Sequence, residues 1–254
     1  MTKIDQVVSE QNIPITNVHG IRTARVAGLG EGLRLAKEIL YKIVDRQTVL
    51  YLSGGRTPMD LYRILAEEGE IRPGAAGLID ERFGKKLHES SNELMIKQTG
   101  LTRYFSLCDT AFHPIIKDDL SLFETAETYD REIRSLLATY QKSVGILGIG
   151  LDGHTAGLPA NPDVWKEYQL AEKSKIQMAV SYDDHGGFYK KRVTMSTLGL
   201  SMLDTNIVLV FGKDKKSALK SVFSDGTEES VTGRFFKRPD ISVKTFLITD
   251  QEMI

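Results

Sequence analysis

Short apolar runs of strand length alternate along this chain with amphipathic stretches of helical period, and that alternation limits the fold more than any other feature. Leu33, Ala36, Ile39, Leu40 and Ile43 recur at helical spacing, which predicts a helix over about residues 29–45. The run TVLYL, Thr48 to Leu52, follows; bounded by Gln47 and the turn pair Gly54-Gly55, it reads as a buried strand. Thr57 is the expected N-cap and Pro58 the first residue of the next helix, which runs to about Glu68. The same reasoning predicts strands over Ala76–Ile79, Val144–Leu147, Gln177–Tyr182, Val193–Met195, Asn206–Phe211 and Val243–Ile248. It predicts helices over Ser91–Thr99, Leu120–Tyr140 and Lys215–Phe223, with Asp183–Phe188 and Ser224–Arg234 as loops. Strands separated by helices require right-handed crossovers onto a mostly parallel sheet covered on both faces. The expected fold class is α/β: a three-layer α/β/α domain with a Rossmann-like open sheet, one domain over residues 1–254 with 1–19 as a peripheral N-terminal segment.

Composition removes several function classes. A formal net charge of −1 and the lack of a basic stripe argue against a nucleic-acid partner. The apolar runs fall well short of the roughly 20 residues a membrane helix needs, and the first residues carry no signal-peptide pattern. Cys108 is the sole cysteine, so the chain forms no internal disulfide and no thiolate metal cage, and a reducing cytoplasm is the expected compartment. Its lack of a histidine nearby in sequence makes it a core residue rather than a nucleophile. His19, His88, His113 and His185 show no metal-binding spacing, and Asp183-Asp184-His185 reads as a solvated loop.

Four polar or glycine-bearing segments begin where expected strands end: SGGRTP (Ser53–Pro58), DERFG (Asp80–Gly84), GIGLDGH (Gly148–His154) and GKDKK (Gly212–Lys216). In an open parallel sheet these carboxyl ends lie along one edge, where ligands bind. The helix start after Gly54-Gly55 attracts an anion, but one exposed helix terminus supplies only about 0.3 to 1 kcal/mol. A phosphate there needs side-chain cations as well, and Arg82, Arg192 and Lys215 are available. In DER, alternation along a strand turns Asp80 and Arg82 to one side and Glu81 to the other.

Gly148, Gly150 and Gly153 satisfy the G-x-G-x-x-G spacing of a dinucleotide loop. Pro159 and Pro162 argue against the long helix that motif opens, and Glu172 sits in a Lys-rich stretch rather than at a strand end. What remains is a glycine-supported loop presenting Asp152 and His154, an imidazole that exchanges protons near neutral pH and a carboxylate that orients it.

Taken in order, LSGGRTP (Leu52–Pro58), DER with Ser91-Asn92, GIGLDGHTA (Gly148–Ala156), RVTMS (Arg192–Ser196) and GKDK (Gly212–Lys215) resemble the 6-phosphogluconolactonases, within the superfamily that also contains glucosamine-6-phosphate deaminases. The resemblance implies hydrolysis of 6-phosphoglucono-δ-lactone to 6-phosphogluconate in the oxidative pentose phosphate pathway, with no metal and no organic cofactor. It implies that His154 activates water and later protonates the ring oxygen, with Asp152 orienting it. The substrate- and phosphate-binding candidates are Ser53, Gly54, Gly55, Arg56, Thr57, Asp80, Arg82, Arg192 and Lys215. The implied partner is a small phosphorylated sugar lactone, with monomer and dimer both left open.

Two alternatives stand beside this reading. A deaminase resembling GHIAFNEP at the histidine loop would carry a glutamate five residues after the histidine, where this chain has Pro159. A non-catalytic sugar-phosphate-binding protein would keep the anion pocket without turnover. The loop itself departs from the lactonase pattern TASLFPG, reading TAGLPAN with Gly157, Leu158 and Pro159, and Gly84-Lys85 replace the usual Val-Pro after DER. These departures bear on the shape of the sugar pocket.

Overall fold

The computed structural model describes residues 2–160, 163, 164, 166, 168, 176–184, 189–223 and 230–252. In chain order the elements are α1 (Lys3–Glu10), β1 (Ile15–Val18), β2 (Ile21–Arg25), α2 (Leu29–Ile43), β3 (Thr48–Leu52), α3 (Arg56–Glu68), β4 (Ala75–Leu78), β5 (Asp80–Arg82), α4 (Asn92–Gln98), α5 (Leu101–Leu107), β6 (Ala111–His113), α6 (Leu122–Thr139) and β7 (Lys142–Gly148). The second half contributes β8 (Ala179–Asp183), β9 (Lys191–Met195), β10 (Thr205–Val210), β11 (Thr245–Thr249) and short helices over Thr197–Ser201, Lys216–Phe223, Val231–Phe236 and Pro239–Ser242. Among the described residues no helix is long and apolar enough to cross a membrane.

Eight strands form the main sheet in the order β1-β2-β11-β10-β7-β3-β4-β6, parallel throughout except for the β1–β2 hairpin at one edge. This is the expected α/β architecture of a mostly parallel sheet flanked by helices. Every residue of β3, β4 and β11 is buried, as parallel strands covered on both faces require. Fully burying a side chain such as Val49, Leu50 or Leu52 is worth about 1.5 to 3 kcal/mol, so the TVLYL run anchors the centre of the sheet. β3 lies between β4 and β7, with Leu52 opposite Leu78 on one side and Ile146 on the other. The chain leaves β3 towards β4 and β6, then returns to β7 and moves away through β10 and β11. The crossovers therefore diverge between β3 and β7, and a crevice opens at their carboxyl ends.

Three expectations change. The strands expected over 177–182 and 193–195 form as β8 and β9, but not in the main sheet: they make a separate antiparallel sheet with β5, in the order β5-β9-β8. Alternating burial is the same in either setting, so it identifies a strand without naming its partner. The helix after Gly54-Gly55 starts earlier than expected: Gly55, at φ 110°, is the N-cap, Arg56 the first helical residue, and Pro58 sits inside the first turn. Proline is tolerated there because that N–H would have no intrahelical partner. Finally, Val231–Phe236 is helical rather than loop, capped by Ser230 and burying Phe235 and Phe236. Residues 185–188 and 224–229 of the two expected loops lie outside the described residues.

The segment expected at the periphery, 1–19, supplies α1 and the edge strand β1, and Ile4, Val7 and Val8 join the core. A capping box between Thr2 and Asp5 starts α1, and Arg22 of β2 donates to Asp5 at 2.9 Å.

Candidate active site

The ends of β3, β7, β10 and β11 surround one cleft of about 530 Å³, within the range of small-molecule sites. Its wall carries Ser53 to Pro58 after β3, Asp80 and Arg82 of β5, Gly148 to Leu151 and His154 after β7, and Gly212, Asp214 and Lys215 after β10. Four segments far apart in sequence converge because their strands are parallel neighbours or are pinned to them.

The histidine loop is built by its own backbone. Gly150 N–H donates to His154 O at 2.8 Å, Gly153 N–H donates to Gly150 O at 3.1 Å, and the Thr155 hydroxyl donates to Gly148 O at 2.7 Å. From Gly150 to Ala160 the described chain is turn and bend rather than the helix that a dinucleotide loop opens. His154 Nδ1 lies 2.6 Å from Asp152 Oδ1. A carboxylate only accepts, so Nδ1 carries the proton and Nε2 holds the lone pair of the neutral ring. The bond to His154 is the main reason the Asp152 carboxyl is lowered from 3.8 to about 2. Asp152 stands behind the imidazole and is not part of the cleft wall, whereas His154 is.

The opposite side of the cleft suits an anion. The first-turn N–H groups of Arg56 and Thr57 have no carbonyl a turn earlier to bond, and they open where both residues line the cleft. Lys215 Nζ donates to Ile149 O at 2.6 Å, so this cation also braces the end of β7 below the histidine loop. Burial pushes its ammonium below the ordinary value. Arg82 Nη1 donates to Ser90 O at 2.8 Å, and its guanidinium carbon lies 5.3 Å from the centre of the Tyr189 ring. Three buried polar atoms of wall residues, Ser53 Oγ, Arg82 Nε and Asn92 Oδ1, have no hydrogen-bond partner among the described residues. Buried groups left this way fit a ligand with several polar atoms.

Glu81 is the hinge pin of this side. Fully buried, its carboxylate accepts from Arg82 N at 2.7 Å, Asn92 N at 2.7 Å, Glu93 N at 2.8 Å and Ser91 Oγ at 3.0 Å, which ties β5 to the start of α4. Burial pushes the carboxyl above its ordinary value, and these four donors oppose that by favouring the charged form. Turning Glu81 inward turns Asp80 and Arg82 towards the cleft, as strand alternation predicts. Glu81→Gln replaces an acceptor oxygen by an NH₂ facing donors, and is expected to lower unfolding free energy by about 2 kcal/mol in a denaturant titration.

A family model described as glucosamine-6-phosphate isomerases/6-phosphogluconolactonase matches residues 31–240. The chain belongs to this family. Among curated relatives, 6-phosphogluconolactonase of Xylella fastidiosa (strain 9a5c) is 29% identical over 193 residues, 73% of this chain and 76% of that protein. The 6-phosphogluconolactonase of Thermotoga maritima is 29% identical over 199 residues, 77% of this chain and 83% of its own length. Of solved structures, 6-phosphogluconolactonase from Plasmodium vivax superposes with a TM-score of 0.73 over 98% of this chain and 95% of that one, at 18% identity, a likeness of fold. The Thermotoga maritima structure gives a TM-score of 0.66 at 26% identity, covering 92% of this chain and 99% of that one.

As a member of this family the chain keeps most of the sequence-derived candidates together. Ser53, Gly54, Gly55, Arg56, Thr57, Asp80, Arg82, His154 and Lys215 all line the cleft, and Asp152 contacts His154. Arg192 is the exception: it is absent from the wall and lies against two carboxylates, donating from Nε to Asp184 Oδ2 at 3.0 Å and placing Nη1 3.9 Å from Oδ2 of the wall residue Asp80. Asp184, read from sequence as solvated, is one of them, with its side chain 14% exposed. Cys108 is half-buried at the end of α5 rather than in the core. Sequence reasoning passed over Asn92, Asp214 and Asp250 as site residues. Asp250 carried a usable signal, since it directly follows the last strand at the same sheet edge; there it accepts from Gly212 N at 3.1 Å.

The departure at TAGLPAN has a local cause. Gly157 has φ +66°, and an ideal Cβ there would lie 2.8 Å from Thr194 Oγ1 and 2.9 Å from Asp80 Cβ. The Tyr182 hydroxyl donates to Gly157 O and Thr194 Oγ1 to Ala156 O, each at 2.5 Å. In this chain the segment after His154 is thus packed directly on β5, β8 and β9.

Proposed function

We propose that this protein hydrolyses 6-phosphoglucono-δ-lactone to 6-phosphogluconate, the lactone-opening step of the oxidative pentose phosphate pathway. The observation that carries the reading is an oriented His154 imidazole sharing one cleft with Arg56, Arg82, Lys215 and the α3 terminus. His154 Nε2 takes a proton from water as the water oxygen bonds to the lactone carbonyl carbon. The tetrahedral intermediate collapses, the bond from that carbon to the ring oxygen breaks, and the imidazolium returns its proton to the departing oxygen. Asp152 holds the ring and stabilises its charged form. Family membership and the curated lactonase relatives support this chemistry over other reactions on a sugar phosphate.

The test is hydrolysis of 6-phosphoglucono-δ-lactone by purified protein under conditions where spontaneous opening is slow. A rate above background is expected; binding of 6-phosphogluconate with no rate would instead favour a sugar-phosphate sensor, and ammonia release from glucosamine 6-phosphate would favour a deaminase. Lys215→Met is expected to raise KM about tenfold, the loss of one charge-assisted contact to phosphate, and to lower kcat several-fold through the freed Ile149 carbonyl. Steady-state kinetics on the lactone check both effects.

A further inference from the structure

His88 has no metal-binding spacing and does not line the cleft, yet both of its ring nitrogens are engaged. Nε2 lies 2.9 Å from Arg82 O, and Nδ1 lies 3.3 Å from Ser90 N. A carbonyl only accepts and an amide N–H only donates, so Nε2 carries the proton and Nδ1 holds the lone pair. Ser90 O in turn accepts from Arg82 Nη1 at 2.8 Å. The circuit closes on one residue: the imidazole grips the main chain of Arg82 and, through Ser90, the peptide that holds the Arg82 guanidinium. The backbone is arranged around this ring. Leu87, just before it, has φ 56°, a left-handed conformation that leucine rarely adopts and that persists only where the surroundings over-determine it. His88 N donates to Lys85 O at 3.1 Å and Ser91 N to His88 O at 2.8 Å, so the turn is bonded on both sides. An ideal Cβ on Gly84 would lie 3.1 Å from His88 Cδ2 and 3.3 Å from Nε2, so this glycine leaves the ring its seat. Gly84-Lys85 stand where the lactonase pattern has Val-Pro, and the fixed φ of a proline is missing from the loop.

Resting on the lactonase reading, we propose that His88 is a positioning residue that aims the Arg82 guanidinium at the phosphate of the ligand. Arg82 stands on the cleft wall, and its Nε is buried with no hydrogen-bond partner among the described residues. With Nη1 held by Ser90 O, the rest of the guanidinium fork is left for an anion, which it binds with directed, charge-assisted hydrogen bonds. A long arginine side chain loses rotamer freedom when it closes on a ligand, and that loss weakens binding. The His88–Ser90 circuit takes the freedom away before the ligand arrives, and the Tyr189 ring, 5.3 Å from the guanidinium carbon, bounds the plane. Glu81 and His88 thus do different work. The Glu81 carboxylate ties β5 to the start of α4 and fixes the two ends of the connection. His88 sets the loop between those ends, and with it the direction of the cation that the loop carries.

The test combines calorimetric titration of the full chain with 6-phosphogluconate and inorganic phosphate, and kinetics on 6-phosphoglucono-δ-lactone and on unphosphorylated glucono-δ-lactone. His88→Leu keeps the bulk of the ring and removes both nitrogens. It is expected to weaken both phosphate-bearing probes about tenfold and to raise KM for the phosphorylated lactone by about the same factor. Its kcat on that lactone, and its kcat/KM on the unphosphorylated one, are expected to stay within about twofold of wild type, because His154 sits on another segment. His88→Gln, whose amide N–H can replace the donor to Arg82 O, is expected to recover to within about threefold of wild type. In an Arg82→Gln background His88→Leu is expected to add no further loss, since two residues acting as one unit are not additive. Additive losses overturn the proposal, as does wild-type phosphate affinity in His88→Leu or an equal loss on the unphosphorylated lactone. Should His88→Leu fail to fold, Gly84→Val crowds the ring without removing it: it must weaken the phosphate-bearing probes and spare the unphosphorylated lactone, and any other pattern overturns the proposal. The titrations decide the point even if the wild type leaves the lactone untouched, a result that would fall on the proposed hydrolysis alone.

Discussion

Replacing His154 with alanine is expected to bring lactone hydrolysis down to the spontaneous rate, a loss of about 10²- to 10⁴-fold if general acid–base assistance is the histidine's contribution. The fold should survive. The imidazole is 42% exposed and its ring bonds Asp152, itself 66% exposed, and an exposed pair of this kind contributes about 0 to 1 kcal/mol. Thermal unfolding of the variant within a few degrees of wild type, together with unchanged 6-phosphogluconate binding, would assign the loss to chemistry rather than structure. Retention of more than a tenth of the wild-type rate would end the acid–base assignment. The pair also makes a pH prediction. Asp152 is depressed from 3.8 to about 2, so it stays charged at any pH used for a lactone assay. A lowered carboxyl stabilises the folded state above its unfolded value; what Asp152 contributes is therefore complete above about pH 4 and is lost between there and about pH 2. Acid unfolding of wild type and Asp152→Asn should differ in that window and converge below it.

Gly150→Ala is expected to cost nearly as much activity through a single methyl group. An ideal Cβ at this position would lie 2.3 Å from His154 Nδ1, 2.4 Å from Cε1 and 2.6 Å from Asp152 Oδ1. These are the atoms of the reactive pair, joined at 2.6 Å, so neither can yield without breaking the bond that orients Nε2. Displacing a reacting group by about 1 Å can cost on the order of 10²-fold, and a fall of that size is expected in kcat. KM should change much less, because the cations facing the phosphate sit on other segments. Both constants on the lactone, with a melting curve as control, check the prediction; a wild-type kcat would mean that the working imidazole takes a different orientation from the one described. The result would also separate two explanations of GIGLDGH. If the second glycine served a dinucleotide, alanine would affect cofactor binding and leave lactone turnover alone.

The fold was more legible in the sequence than the details of the site. β3 occupies the residues expected of it, Thr48–Leu52, because a fully buried run between a charged helix end and Gly-Gly admits one reading. α6 fell within its expected span because Ile133 and Leu136 keep helical period and a Ser121–Glu124 capping box marks the start. β1, β2 and β6 were missed; ITNV and AFH are short edge strands with little burial that owe their conformation to pairing, and IRTAR sets Arg22 and Arg25 among its buried positions. His154, Asp80 and Arg82 come to one cleft, with Asp152 against His154, because each follows or occupies a strand end. Arg192 is absent from the cleft wall, since proximity to a strand end says nothing about which side of its neighbours a long side chain passes.

The order of buried runs and helical stretches, written in the sequence, already committed this chain to a parallel α/β sheet and to a glycine-bearing polar edge, since only burial on both faces accommodates TVLYL, TNIVLV and TFLIT. Tertiary structure alone decided which strands pair, where the crossovers diverge, and that β5, β8 and β9 leave the main sheet to brace Asp80 and the histidine loop. The physical reason is that side-chain periodicity is a local property of each segment, whereas the direction of Arg192, the closeness of Gly157 to Asp80 and the reach of Lys215 to Ile149 are set by packing between segments far apart in the chain.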